Sequence, residues 1–176
     1  LDIYKLKALY CLRTEKLKGM NKMDKSKQYN ENSESSLKLF IVLSRALESI
    51  EKKLAESIKG YGLNLTEFGV LELLFHKGDQ PIQKIGKKIL IASSSITYVV
   101  DKLEKKKYIK RVACPTDRRV TYAAITDEGR ELMEEIFPKH QALMTEMMSV
   151  LDLEEKATMI EQLKKLGLSV KNYTIE

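Results

Sequence analysis

Residues 82–126 read IQKIGKKILIASSSITYVVDKLEKKKYIKRVACPTDRRVTYAAIT, and this stretch decides the fold. Ile82, Ile85 and Ile89 fall on one side of a short helix over residues 82–88. Ala92-Ser93-Ser94-Ser95 follows, with a serine placed to cap a second helix. In that helix Ile96, Val99, Val100 and Leu103 stand at i, i+3, i+4 and i+7 and must face a core. The opposite face then shows Ser94, Ser95, Thr97, Tyr98, Asp101, Lys102 and Lys105. Two short helices with a tight turn, the second presenting small hydroxyls, an aromatic ring and lysines, make a helix-turn-helix pattern. Residues 108–112 and 120–125 alternate as strands do, around the turn-like Ala113-Cys114-Pro115-Thr116-Asp117-Arg118-Arg119, whose end is basic. They predict a β-hairpin, or wing.

Working outward, Leu37, Phe40, Ile41, Ser44, Leu47, Glu51, Leu54 and Ile58 recur at helical steps until Gly60 and Gly62 stop the run. A second helix is expected from Thr66, capped by its hydroxyl, and residues 76–81 read as a loop. Downstream, a long helix opens after Thr126 with Asp127 and Glu128 in its first turn, where the helix dipole favours acids. Its apolar positions run to Leu151, and Pro138 should kink it. A last helix is expected over about residues 152–168. The fold class is therefore mainly α with a small β-hairpin. Residues 63–126 form the winged helix-turn-helix domain, and 36–62 with 127–168 form a separate helical domain. Residues 169–176 form a tail. Residues 1–35 read as a lead-in: the Asn-, Ser- and Lys-rich tract 21–36 as flexible, and 1–22 as added sequence or the trace of an alternative start near Met20 or Met23.

Charge narrows the class of partner. Of 31 Lys+Arg and 25 Asp+Glu, residues 82–122 hold eleven basic against three acidic, net +8, and the remainder of the chain is net −2. The triplet Lys105-Lys106-Lys107 alone would read as a solvated helix end. The whole segment, with its motif, carries the electrostatic footprint of a phosphate-backbone binder. Two cysteines, Cys11 and Cys114, form no disulfide framework, and a cytoplasmic setting is expected. No apolar run suits a membrane span and residues 1–11 have no continuous apolar core, so no membrane or secretion signal is expected. An enzyme is disfavoured. His76 and His140 are far apart, no glycine-rich phosphate loop is present, and no Cys/His spacing suits zinc, so no cofactor or metal is expected.

The segment Asp117-Arg118-Arg119, then 120–125, then Thr126-Asp127-Glu128-Gly129 resembles the wing signature of the MarR (multiple antibiotic resistance regulator) family: an Asp-Arg-Arg tip, a short strand, and Leu-Thr-x-x-Gly opening the dimerisation helix. Leu65-Thr66-Glu67-Phe68-Gly69-Val70-Leu71 is similar to the opening of the family's second helix, and Ser95-Ile96-Thr97 with Val100 and Leu103-Glu104 to its recognition helix. The resemblance covers residues 36–168. The chain departs from it at Ile85-Gly86, where Leu-Ala is usual, at Lys107, where Gly is usual, and at Cys114-Pro115.

The resemblance implies a homodimeric transcriptional regulator, commonly a repressor, that binds an inverted repeat in double-stranded DNA and is released by a small-molecule or redox signal. Ser93, Ser94, Ser95, Thr97, Tyr98, Lys102 and Lys105 would form the recognition-helix contacts. Arg118 and Arg119 would form the wing contacts, with Asp117 pairing an arginine to hold the hairpin's shape. A phenolic or lipophilic effector is implied near Phe40, Tyr61, Phe68, Phe75, Met133 and Phe137. Cys114, with Lys110, Arg111, Arg118 and Arg119 close in sequence, is a candidate thiolate sensor, since positive neighbours stabilise the anion. The other function left open is a winged-helix module that binds protein or RNA without operator specificity.

Overall fold

The computed structural model describes residues 24–89, 93–117 and 119–174. In order, these form α1 (Asp24–Lys59), α2 (Leu65–Lys77), β1 (Gln80–Pro81), α3 (Ile82–Lys88), α4 (Ser93–Lys105), β2 (Ile109–Ala113), β3 (Thr121–Ile125), α5 (Asp127–Met147) and α6 (Leu153–Lys171). The chain divides into two units whose boundary, between Lys53 and Leu54, falls inside α1.

In the first unit the described chain is helix from Asp24, which corrects the expectation of irregular chain through residue 35. The tract 24–35 contains no Gly or Pro, and five of its twelve residues are Lys, Glu or Gln, which cost little in a helix. Extending an existing helix adds one hydrogen bond per residue without a new nucleus, so the periodic segment that follows carries the tract along. Leu39, Phe40, Val42 and Leu47 stand exposed on this helix.

In the second unit Tyr61 and Gly62 donate back to Ile58 and Lys59 and end α1, with Gly62 at φ 69°. The cap of α2 is Asn64 rather than Thr66. Its side chain accepts from the Glu67 N–H while the Glu67 carboxylate accepts from the Asn64 N–H, a reciprocal capping box. The segment read as a loop, 76–81, is largely ordered: α2 runs to Lys77, Gly78 turns the chain at φ 67°, and Gln80-Pro81 is a short strand. A residue before proline is forced toward extended backbone, and proline is tolerated at a sheet edge. β1 therefore sits on the outside of a three-stranded antiparallel sheet in the order β1-β3-β2. Gln80 lies opposite Ala123, and Ile109 opposite Ile125.

The expected stripe of α4 is buried: Ile96, Val99, Val100 and Leu103 join Phe68, Val70, Leu71, Leu74, Ile82, Ile85 and Ile109 in one core. Each such side chain stabilises the fold by about 1.5–3 kcal/mol relative to exposure. Met133 and Ile136 of α5 close the same core. α5 continues through Pro138 and ends at Met147, so Leu151 lies beyond it. α6 begins with a second capping box, Asp152 with Glu155, and runs to Lys171. The first part of the expected tail is thus helical, because a lone Gly167 is too weak a breaker to end the helix.

Two backbone features join the elements. At the α4–β2 corner Lys107 is at φ 63°, the left-handed region, with Tyr108 N–H bonded to the Leu103 carbonyl and Lys107 N–H to that of Glu104. The departure from glycine seen in sequence is therefore tolerated at a local cost. Next to it, Thr126 N–H donates to the Tyr108 carbonyl (3.0 Å), the Thr126 hydroxyl donates to the Lys107 carbonyl (2.6 Å), and Gly129 N–H donates to the Thr126 hydroxyl (3.1 Å). A Cβ on Gly129 would overlap the Tyr108 carbonyl oxygen and stand 3.0 Å from its carbon.

Gly129→Ala should cost about 3 kcal/mol, the upper part of the overpacking range, because the obstacle is backbone and cannot rotate away. Urea unfolding at fixed protein concentration measures it, and a loss under about 0.5 kcal/mol would show that the corner yields easily. Lys107→Gly should instead raise the unfolding free energy by about 0.5–1 kcal/mol, seen as a higher urea midpoint with an unchanged slope, as the left-handed strain is relieved.

Candidate nucleic-acid interface

The buried stripe of α4 fixes what its other face shows. Thr97 and Tyr98 are exposed there, Tyr98 by 61%. Ser93, Ser94 and Ser95 lie in the first turn of the helix, with side chains outside the described residues, as are residues 90–92 just before it. The serine cap expected from sequence therefore also falls outside what is described. The Lys102 ammonium lies 4.7 Å from the centre of the Tyr98 ring, and the Tyr98 hydroxyl is the first cause holding Lys102 above its ordinary pKa. Lys105 is exposed at the last residue of the helix.

The cations counted together in the sequence are not equivalent. Arg111 of β2 reaches back to α4, where its guanidinium donates to Asp101 (2.5 Å) and to Glu104, and its backbone N–H donates to Glu104 as well (3.2 Å). These carboxylates hold Arg111 above its ordinary pKa, the Asp101 hydrogen bond first. The two acids of α4 are thereby neutralised from the hairpin, as salt pairs. Lys106 is likewise committed: it donates to the Gly62 carbonyl (2.7 Å) and pairs with Glu67 (2.8 Å), a carboxylate only 2% exposed. Lys88 donates to Gln80 (2.6 Å), tying α3 to β1. Sequence reasoning missed the Lys106–Glu67 link. Its one legible signal was an acid in an otherwise apolar helix opening.

The hairpin tip is a hydrogen-bonded turn. Cys114 N–H donates to the Val120 carbonyl and Val120 N–H to that of Asp117, both at 3.0 Å. Asp117 accepts from the Arg119 N–H (3.0 Å) and from its guanidinium Nε (3.3 Å), while the Arg119 side chain stays 91% exposed. Arg118 lies outside the described residues. Cys114 is partly exposed, with its sulfur 3.4 Å from the Thr116 hydroxyl. The thiol is held below its ordinary pKa by that hydroxyl first, then by the N–H groups of Thr116 and Asp117, against an opposing push from the Asp117 charge. The cause differs from the sequence expectation. Turn hydrogen bonds favour the thiolate, and Arg111, one of the cations expected to do so, is spent on Asp101 and Glu104. Cys11 lies outside the described residues.

Five of the residues named for an effector lie in the second unit. Phe68 and Met133 are core residues, and Tyr61, Phe75 and Phe137 pack against that core. Tyr61 also joins α5, donating to Glu135 (3.2 Å) and accepting from Lys139 (2.8 Å). Phe40 stands half-exposed in the first unit. An open groove of about 600 Å³ runs along α5, lined by Pro138, Gln141, Ala142, Thr145, Glu146 and Ser149 and by none of the residues named from sequence. Both histidines rest on phenylalanine rings: His140 on Phe68 (4.6 Å) and His76 against Phe137 (4.5 Å). The His140 Nδ1 is buried with no hydrogen-bond partner among the described residues. No group of His, Cys, Asp and Glu there suits a metal ion, and no helix there is long and apolar enough to cross a membrane.

Comparison with known proteins agrees with this geometry. The family model described as MarR family matches residues 63–121, which span α2 to the start of β3. The chain is 59% identical over 141 residues to the HTH-type transcriptional regulator MhqR of Bacillus subtilis, covering 80% of this chain and 97% of that protein. It is 38% identical over 138 residues to YkoM, an uncharacterized HTH-type transcriptional regulator of the same organism, covering 78% and 90%. Among solved structures, Sco3205 of Streptomyces coelicolor, a MarR family transcriptional regulator in complex with DNA, superposes with a TM-score of 0.70 at 22% identity, covering 75% of this chain and 88% of that one. These relatives are regulators rather than enzymes. With a winged helix-turn-helix of this architecture and relatives of this identity, the chain belongs to the MarR family of DNA-binding transcriptional regulators.

Proposed function

We propose that the protein acts in the cytoplasm as a homodimeric repressor on an inverted-repeat operator, and that a small-molecule or redox signal releases it. The observation that carries the operator reading is the outward face of α4. Thr97, Tyr98, Lys102 and Lys105 stand there, and the acids of the same helix are drawn off by Arg111. In this reading α4 enters the major groove, Ser93, Ser94, Ser95, Thr97 and Tyr98 meet base edges and phosphates, and the lysines meet phosphates. Arg118 and Arg119 probe the narrow minor groove, where negative potential concentrates.

The dimer reading rests on apolar surface left uncovered among the described residues. α6 has no buried residue, and Leu153, Met159, Ile160, Leu163 and Leu166 are exposed along it. Such a stripe gains by packing against a second copy. The release signal is a phenolic or lipophilic effector near Tyr61, Phe68, Phe75, Met133 and Phe137, or oxidation of Cys114. In its favour, the Cys114 thiol is partly exposed and biased toward the thiolate.

Selection of bound duplexes from a random pool tests the central claim. The expected product is an inverted repeat with half-sites about one helical turn, roughly 34 Å, apart, bound by a species that sediments as two chains. A single half-site, or no preferred site, would remove the reading, and preference for RNA would replace it. Candidate phenols and peroxide are then added to the complex. A Cys114→Ser variant that responds like the parent excludes the thiol.

Arg119 and Arg111 of the wing should behave differently. Arg119→Ala should weaken binding to every sequence and reduce the salt slope by about one. Arg111→Met should weaken binding by leaving Asp101 and Glu104 unpaired beside the phosphates. Adding Asp101→Asn and Glu104→Gln to the same chain should restore most of the affinity. No restoration would make Arg111 itself a DNA ligand.

A further inference from the structure

Along α4, Tyr98 and Lys102 are four residues apart and therefore share a face. The ring is largely exposed, yet it holds the Lys102 ammonium 4.7 Å from its centre, so one of the longest and most flexible side chains is not left free in solvent. The neighbouring charges leave this arrangement undisturbed. Asp101 and Glu104, which flank Lys102 in sequence, are turned to Arg111, and Lys106 is turned to Glu67 and Gly62. The face of α4 bearing Lys102 thus presents a pre-oriented ammonium, with the carboxylates of its own helix paired to Arg111. A cation over a tyrosine face is attracted by the ring quadrupole, and the attraction grows when water is excluded, as it is in a groove. Fixing the lysine before binding removes much of the entropy that a free lysine loses on contact, so a directed contact becomes worthwhile.

A phosphate needs no such orientation, because it accepts from any direction and counterion release rewards any nearby cation. A base edge does need it. In the major groove guanine offers two adjacent acceptors, N7 and O6, whereas adenine pairs its N7 with an amino donor that repels an ammonium. We infer that Tyr98 and Lys102 act as one reading unit, in which Lys102 donates to N7 and O6 of a guanine in each half-site and Tyr98 is the positioning residue that holds it there. This rests on the operator reading above and deepens it. Lys102 becomes a determinant of sequence rather than one phosphate contact among several.

The test compares the full-length parent, Lys102→Met, Tyr98→Ala, Tyr98→Phe and the Tyr98→Ala/Lys102→Met double variant by duplex selection and titration, with melting curves to show that each is folded. Lys102→Met keeps an apolar stem over the ring and removes only the charge. The parent should select one guanine per half-site that Lys102→Met no longer prefers, a loss of about tenfold in discrimination at that base. Tyr98→Ala should lose the same preference, Tyr98→Phe should keep the part that the ring alone supports, and the double variant should be no worse there than either single one. Replacing that guanine by 7-deazaguanine should weaken the parent and leave Lys102→Met unchanged. If Lys102→Met weakens all sequences alike and flattens the salt dependence, Lys102 is a phosphate ligand and the inference is overturned. It also falls if Tyr98→Ala leaves the guanine preference intact. A parent with no preferred site sinks the operator reading and this inference together. A parent with a clear site and unaltered preferences in the variants sinks this inference alone.

Discussion

The winged part of the second unit turns on one close backbone approach: the start of α5 against the α4–β2 corner. The Tyr108 carbonyl accepts from Thr126, and Gly129 stands so near it that no side chain fits between. The contact is made by main-chain atoms and a single hydroxyl, so it has little freedom to slide. It sets the recognition helix, the wing and the long helix in a fixed mutual relation. A hydrophobic core alone would not do this, since apolar contacts are non-directional and tolerate sliding. The core gives the winged domain its stability, and this corner gives it an orientation.

A second constraint is electrostatic. A segment with eight net positive charges must fold without its lysines and arginines repelling one another apart. The structure divides the labour. Lys106 neutralises the buried Glu67 and closes the α1–α2 turn, Arg111 neutralises Asp101 and Glu104, and Lys88 binds Gln80. Lys102, Lys105 and Arg119 keep to the outward surface. The cations that hold the domain together and those that can meet a partner are therefore different residues. The charge count of the sequence overstates the second group. Arg119 shows the division within one residue: it closes the tip through Asp117 while its side chain remains exposed.

Much of this was legible in advance where a local rule governs it. The periodic burial of Ile96, Val99, Val100 and Leu103, the glycine stop of α1, the start of α5 after Thr126 and the two hairpin strands each follow from a few adjacent residues. The misreadings were local too, with local reasons. Asn64 outcompeted Thr66 because Glu67, three residues on, could reciprocate. Pro81 made Gln80 extended, and a third strand appeared in what composition marked as loop. Lys, Glu and Gln continued α1 back to Asp24 through a tract whose Asn and Ser suggested otherwise.

By itself the sequence determined the fold class, the outward face of the recognition helix and the sign of the partner's charge. All three depend on spacing and composition, which the chain carries along its length. It could not determine which cation meets which acid. Lys106 and Glu67 are thirty-nine positions apart, and Arg111 is ten from Asp101. Such pairs form only when helices and strands have already docked. Nor could it say why Lys107 must be left-handed, or why Gly129 admits no side chain. Those follow from where the Tyr108 carbonyl comes to rest once α5 is packed. The tertiary structure decided them because backbone close approach and charge pairing are properties of distance in space, and distance along the chain does not set it.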